Sequence, residues 1–289
     1  MTARLATRPT VVVPNPYGPT ADLDAIIINY RTPQLTGRCV RSWLDYADAH
    51  LDAGIRVRLT VVDVDPDPAQ PTIAHAQLAG HDVQVLVLPW NAGYSGACNR
   101  AAQLTDAPML AFLNADTRLT NADCIPTMMQ FFADHPDDAH IAGPLQVDDR
   151  GLVRHGGIFG SQEAPQHRDF GEPVTDLHRT NQRAVTVSGS AYFVRRSTWN
   201  KLRDCPLFQE QIDPGCPGAM LRTPHYFEET WVSYHGSAHR QHSWYVGEAE
   251  MEHLYDSSPH DDVADTGRLF ATSKPIFTRA CDVHHIRHD

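Results

Sequence analysis

Leu110-Ala-Phe-Leu-Asn-Ala-Asp-Thr117 is the stretch on which the reading of the fold turns. From Met109 to Leu113 the side chains are apolar or small, and the run then breaks into Asn114, Ala115 and Asp116. A short apolar run ending in polar groups predicts a buried strand whose carboxyl end opens into a site. In open α/β sheets ligands bind at that end. A carboxylate fixed there suits a hard divalent cation and, through it, a diphosphate. The same residues allow a plainer role, with Asp116 capping a helix that starts near Asn121 or only shaping a turn.

Working outward, the pattern repeats. Asp24–Tyr30 is rich in β-branched residues and ends in Asn29 and Tyr30, which predicts a first strand. Thr32-Pro33 then opens a helix, with Thr32 as its N-cap and Pro33 in its first turn. Leu35, Cys39, Val40, Trp43 and Leu44 form its apolar face, with Arg38 and Arg41 on the other side. Val57–Asp63 is a second strand, the proline-bearing segment 65–71 a loop, 72–79 a short helix and Val83–Leu88 a third strand. Pro89–Arg100 is a glycine-containing turn into a helix reaching about Leu104, followed by the central strand, a helix from Asn121 to Asp134 and a strand over Ala139–Val147. Alternation at this spacing predicts a parallel sheet with right-handed crossovers. It gathers Asn29, Asp63, Asn91 and Asp116 at successive strand ends.

Composition narrows the function classes. The 289 residues carry a formal net charge of −11, which disfavours a broad nonspecific nucleic-acid surface. No apolar run approaches the length of a membrane span, and the amino terminus lacks the apolar core of a signal peptide. Residues 1–22, with four prolines, read as an extended leader. The six cysteines show neither zinc-type pairing nor a dense framework, which fits reduced thiols in a cytoplasmic protein. Gly93 and Gly96 lack the third glycine of the dinucleotide fingerprint, and no segment matches a P-loop. A nucleotide site of another kind is therefore expected.

Four stretches in order carry a resemblance: Ala25–Arg31, Val61-Val-Asp63, Asn91-Ala-Gly-Tyr-Ser-Gly-Ala-Cys-Asn99 and Leu110–Thr117. Together they resemble the family 2 glycosyltransferases of rhamnosyltransferase-like type. The resemblance implies a GT-A fold: an α/β, Rossmann-like, mostly parallel central sheet with flanking helices, plus a smaller acceptor-side subregion. It covers about residues 23–255, with a nucleotide-binding half over 23–147 and an acceptor and catalytic half over 148–255. It implies that Asn29, Tyr30, Arg31, Asp63, Asn91, Gly93, Asn99, Asn114 and Ala115 line the nucleotide. Asn114 replaces the first aspartate of the family's D-x-D motif, keeping a hydrogen-bonding group without its charge. Asp116 is retained as the metal ligand.

In the second half, Val185–Arg196 resembles the family's glycine-bearing strand, which implies that Gly189 and Ser190 face sugar and acceptor. Phe227-Glu-Glu229 falls on the family's acidic pair, with Glu229 on the usual catalytic base and Glu228 as the rival assignment. His253 falls on a histidine that binds metal in some members, and His235 stands where the family often has arginine. The implied activity is inverting, metal-dependent transfer of a sugar from a nucleoside diphosphate sugar, most simply a UDP- or dTDP-sugar, with Mn²⁺ or Mg²⁺. The acceptor hydroxyl would lie on a glycan, a protein or a modified nucleic-acid base. A nucleic-acid acceptor would need a basic groove, for which Arg179, Arg183, Arg195 and Arg196 are the candidates. The alternative is a non-catalytic sugar-nucleotide-binding or scaffold protein of the same fold.

Several features have plain and functional readings side by side. Glu228 and Glu229 at a helix start also suit its dipole. His235, His239 and His242 share helical spacing, which fits a zinc site or a solvated face. His155-Gly-Gly-Ile-Phe159 reads as a hairpin and 161–182 as a mobile loop. The tail over 256–289 reads as a lid offering His284 or His285 to a metal, or as a frayed end.

Overall fold

The computed structural model describes residues 21–65, 83–254 and 266–288. Residues 1–20 of the predicted leader over 1–22, residues 66–71 of the predicted loop over 65–71 and the predicted helix over 72–79 lie outside the described residues. The first half forms β1 (Leu23–Tyr30), α1 (Pro33–Asp45), α2 (Ala47–Asp52), β2 (Val57–Val64), β3 (Gln84–Leu88), α3 (Gly93–Gln103), β4 (Met109–Asn114), β5 (Thr117–Arg118), α4 (Cys124–Asp134) and β6 (Ile141–Val147). Strands β3, β2, β1 and β4 lie side by side, all parallel. The register pairs Asn29 with Asp63 and Ile28 with Asn114, so the polar strand ends share one edge.

Period-two alternation explains why both faces of this sheet are covered. Ala25 and Ile27 pack with Trp43, Met128 and Phe132 under α1 and α4. Ile26 and Ile28 pack on the opposite face with Ala97, Ala101, Tyr192 and Trp199. The predicted apolar face of α1 holds, with Cys39, Val40 and Trp43 buried and Arg38 and Arg41 exposed. The cap differs from expectation. The Thr32 side chain makes no cap bond, and Asn29 Oδ1 instead accepts from Thr32 N–H (3.1 Å) and Thr36 Oγ1 (2.8 Å).

The second half is mixed. It comprises β7 (Val153–His155), β8 (Ile158–Gly160), β9 (Pro165–His167), β10 (Gln182–Ala184), β11 (Ala191–Arg195), α5 (Arg196–Arg203), α6 (Glu228–Ala238), β12 (Ser243–His253) and α7 (Thr266–Val283). Strand β11 inserts antiparallel between β4 and β6, and β12 runs parallel to β6. The predicted hairpin at His155–Phe159 does not form. Gly156-Gly157 is a bend between sheets, because β7 pairs with β6 while β8 pairs with β9. The expected loop over 161–182 carries β9 and a 3-10 turn over Asp176–Arg179.

A buried ion cluster ties the two halves at the amino edge of the sheet. Asp24 is fully buried. It accepts from Arg58 Nε (2.5 Å), Arg196 Nη2 (3.0 Å) and the Ala107 N–H (2.8 Å). Removing one member leaves uncompensated buried charge, which costs about 3–5 kcal/mol. Asp24→Ala is therefore expected to lower the urea midpoint by that equivalent at constant m-value, measured by circular dichroism.

Candidate active site

The carboxyl edge of β1 and β2 is fixed by one side-chain pair. Asn29 Nδ2 donates to Asp63 Oδ1 at 2.8 Å, and both residues are buried. The chain then turns outward through Arg31, whose φ is +55°, and Arg31 pairs with Asp65 at the surface (2.8 Å). Its guanidinium lies 5.2 Å from the centre of the Tyr30 ring. Further along the edge, Asn91 Oδ1 accepts the Gly93 N–H at 2.9 Å. Gly93 has φ +66°, a left-handed conformation that favours glycine, and α3 begins there.

Gly189 and Ser190 join three elements. Asn114 N–H donates to the Ser190 carbonyl (2.9 Å), at the meeting of β4 and β11. Tyr94 Oη, from α3, donates to the Gly189 carbonyl (2.5 Å). On the other side a Cβ on Gly189 would lie 3.0 Å from Glu229 Cδ, so α6 presses its first turn against this glycine. The Gly189 backbone N–H favours the charged form of the Glu229 carboxyl beside it. Ser190 Oγ donates to Gln146 Oε1 at 2.6 Å, fixing the segment from below. Gln146, buried in β6, and Tyr94 were not singled out as polar site residues by the sequence. Gln146 sits in no pattern that distinguishes it from core, and Tyr94 lies inside the resembling Asn91–Asn99 stretch without standing at one of its matched positions.

Asp116 lies two residues beyond β4, and a short two-residue pairing brings His253 to it. Strand β5 pairs antiparallel with β12, setting His253 opposite Thr117 and Glu252 opposite Arg118. The Leu254 N–H donates to the Asp116 carbonyl (3.1 Å). His253 Nε2 then lies 3.4 Å from Asp116 Oδ1, and both side chains are largely buried. Glu252 is engaged separately by Arg118 Nε at 2.6 Å. A carboxylate oxygen and an imidazole nitrogen at this separation fit adjacent corners of an octahedral ion, where ligands at about 2.1 Å stand about 3 Å apart. The donor set suits Mn²⁺ or Mg²⁺, with other corners left for oxygen ligands.

The acidic pair sits on a strained turn. Tyr226 and Phe227 both adopt left-handed backbone, with φ of +70° and +71°. Bulky residues rarely accept this conformation, and such strain concentrates at functional sites. The Phe227 ring stacks on Phe277 of α7 (4.7 Å), so the described part of the tail is a docked helix rather than a frayed end. Glu228 is buried, and its Oε1 has no hydrogen-bond partner among the described residues. Burial, then the neighbouring Glu229 charge, raises the Glu228 carboxyl above the ordinary carboxylate range. Burial raises Glu229 as well, opposed by backbone N–H groups at the helix start and from Gly189.

Not every expected residue joins this site. Asn99 is completely buried, with Nδ2 donating to the Met220 carbonyl (2.9 Å) and Oδ1 accepting the Met220 N–H (3.1 Å). Its amide is thereby occupied in holding the 216–220 loop. Gly218 makes that close approach possible, since a Cβ there would sit 2.2 Å from Asn99 Oδ1. The four arginines that a nucleic-acid acceptor would require as a basic groove are engaged elsewhere. Arg179 pairs with Glu250 (2.6 Å), Arg183 with Asp138, and Arg196 with Asp24. Arg195 Nε donates to the Ala139 carbonyl (2.6 Å). His242 stands beside His140, whose Nδ1 lies 3.2 Å from the His242 backbone N, and not with His235 and His239.

A family profile described as Glycosyl transferase family 2 matches residues 24–203. Glu228, Glu229 and His253 lie beyond that span. No curated protein sequence matches the chain. Among solved structures, GalNAc-T7 with UDP, GalNAc and Mn²⁺ superposes with a TM-score of 0.59 at 13% identity, over 91% of this chain and 48% of that one. The mannosyltransferase PcManGT from Pyrobaculum calidifontis, in complex with GDP-Man and Mn²⁺, gives 0.57 at 13% identity, over 96% of this chain and 72% of that one. TarS 1–349 from S. aureus gives 0.52 at 12% identity, over 91% and 71%. At these identities the likeness is one of fold, the GT-A arrangement. The chain spans about half the length of GalNAc-T7.

Proposed function

The chain belongs to glycosyl transferase family 2, and from that premise we propose that it moves a sugar from a nucleoside diphosphate sugar to an acceptor hydroxyl, with inversion at the anomeric carbon. One observation carries the reading. The β5–β12 bridge sets Asp116 and His253 3.4 Å apart, while Gly189 and Ser190 link that same edge to the Glu229 carboxylate.

In this reading the nucleoside lies along the ends of β1 and β2, against Asn29, Tyr30, Arg31 and Asp63, and along Asn91 and Gly93. Asn114 and Ala115 face the ribose, and Asp116 with His253 holds Mn²⁺ or Mg²⁺. Bound there, the ion supplies positive charge beside the departing diphosphate. Glu229 takes the proton of the attacking acceptor hydroxyl. As the new bond to the anomeric carbon forms, the bond to the diphosphate oxygen breaks on the opposite face. Gly189 leaves room for the sugar and orients the base through its N–H. A UDP- or dTDP-sugar is the simplest donor. The occupied arginines favour a glycan or protein acceptor over nucleic acid. All six cysteines are buried and unpaired, which supports a cytoplasmic setting. No helix among the described residues is long and apolar enough to cross a membrane.

The test is release of nucleoside diphosphate from a panel of UDP-, dTDP- and GDP-sugars with Mn²⁺ and candidate acceptors, with the product anomer read by NMR. Inverted product supports the proposal. A retained anomer overturns the single-displacement mechanism. Donor binding without release in any combination moves the scaffold reading to first place.

The acidic pair also sets an expected pH dependence. Burial and repulsion from Glu229 push the Glu228 carboxyl up to about 8. An acid whose pKa is higher folded than unfolded keeps its proton longer in the folded chain. Stability therefore falls as pH rises from about 4.5 through that value. Glu228→Gln removes this slope and is expected to stabilise the chain more at pH 8 than at pH 5 in urea titrations. The pair titrates jointly, and Glu229 gives up its proton while Glu228 is still neutral, so the acid limb of kcat/KM is expected to stay in place in Glu228→Gln. A limb moved to lower pH would mean that Glu228 ionises first.

A further inference from the structure

Away from the donor edge, four side chains converge that the proposed reaction does not use. Cys205, His235, His239 and His284 each offer a ligand atom, and these atoms all lie within 4.8 Å of one another. Cys205 and His235 are buried and the other two half-buried. His235 is 0% exposed, yet neither of its ring nitrogens has a hydrogen-bond partner. His239 Nε2 and His284 Nδ1 are likewise buried without a partner. Orphaned buried polar atoms cost about 1–3 kcal/mol each. Three imidazoles with orphaned nitrogens, gathered beside a thiol, call for a common partner.

The architecture states what that partner is. Cys205 comes two residues after α5 ends, His235 and His239 lie one turn apart at the end of α6, and His284 follows α7 directly. The carboxyl ends of α6 and α7 place their negative dipole ends at His239 and His284, which favours a cation there, while Cys205 sits between the end of α5 and the helical segment that starts at residue 206. One thiol and three imidazoles suit a borderline-soft ion. Four protein ligands make a closed, tetrahedral site, in which Zn–N of about 2.0–2.1 Å and Zn–S of about 2.3 Å bring ligand atoms about 3.4–3.6 Å apart. A contraction of about an ångström across the cluster would close it. The stacking of Trp231 on His235 (4.9 Å) and the Phe208 ring at 5.6 Å form a dry wall on one side.

We propose that Cys205, His235, His239 and His284 form a structural Zn²⁺ site that pins α5, α6 and α7 together. On binding, the Cys205 thiol releases its proton to solvent, and the thiolate and three neutral imidazoles each donate an electron pair to the ion. No redox partner is involved. The site clamps the far end of the helix whose first turn carries Glu228 and Glu229. His235 stands six residues beyond Glu229, about 9 Å along the axis. The oxygen-bearing pair Asp116–His253 and this sulfur–nitrogen set would sort different metals.

The test is metal analysis of the full chain purified without chelator, then dialysed against Zn²⁺. About one zinc per chain is expected. X-ray absorption at the zinc edge should give one sulfur near 2.3 Å and three nitrogens near 2.0–2.1 Å. Replacement by Co²⁺ should give a thiolate charge-transfer band that disappears in Cys205→Ser. His239→Gln, at a half-buried position, should lose zinc while keeping its circular dichroism. Asp116→Ala should retain it, which separates this proposal from the donor site. A chain that takes up no zinc, or a zinc shell without sulfur, would overturn the assignment even if the variants failed to fold.

Discussion

Glu229→Gln is expected to lower kcat by ~10²–10⁴ while leaving donor affinity unchanged. The glutamine is nearly isosteric. It retains an oxygen toward the Gly189 backbone N–H, which favours the charged carboxylate, and it keeps the fit against Gly189, where a Cβ would already lie 3.0 Å from Cδ. What it loses is the basic carboxylate that takes the acceptor proton. Glu228 is buried behind the first turn with its carboxyl raised by burial and by Glu229, so it is the poorer proton acceptor at neutral pH. The measurement is steady-state kinetics beside calorimetric donor binding. If Glu228→Gln instead abolishes transfer at intact affinity, the base is one residue earlier.

The second large effect is at the metal pair. Asp116→Ala is expected to abolish Mn²⁺-dependent donor binding and to reduce transfer by about 10³-fold or more, the equivalent of several kcal/mol of charge stabilisation. The substitution removes only the carboxylate. The backbone bond from Leu254 N–H to the Asp116 carbonyl (3.1 Å) and the β5–β12 pairing remain, so the local fold should persist by circular dichroism. His253 alone offers one nitrogen, too few ligands for a hard cation. Unchanged metal-dependent binding in this variant would move the ion elsewhere.

The parts of this molecule that the sequence disclosed share a physical cause. The parallel half was legible because each buried strand is a short, mostly apolar run that breaks at a polar residue or a proline. Register then puts Asn29 beside Asp63 and Asn114 beside Ile28 without further information. The second half was less legible because its contacts depend on antiparallel insertions and bends that glycine only permits. Gly156-Gly157 signals a turn but does not say which strands will pair after it, and β8 finds β9 rather than β7. Asn99 lies in a resembling motif, yet its amide is taken by Met220, 121 positions away. The histidines show the same limit. Helical spacing grouped His242 with His235 and His239, but α6 ends at Ala238 and the chain turns at Arg240, with φ +60°. The residues that stand with His235 and His239 instead of His242, Cys205 and His284, lie just beyond the ends of two other helices. No local pattern encodes that meeting.

The most direct measurement is calorimetric titration of the wild-type chain with UDP, dTDP and GDP, each with Mn²⁺ and again with the donor-site metal withheld. Binding of one nucleoside diphosphate that requires Mn²⁺ is the expected result, and it would identify the base of the donor. Binding of equal strength without the ion would contradict the role given to Asp116 and His253. Binding of none would leave the GT-A fold without its donor.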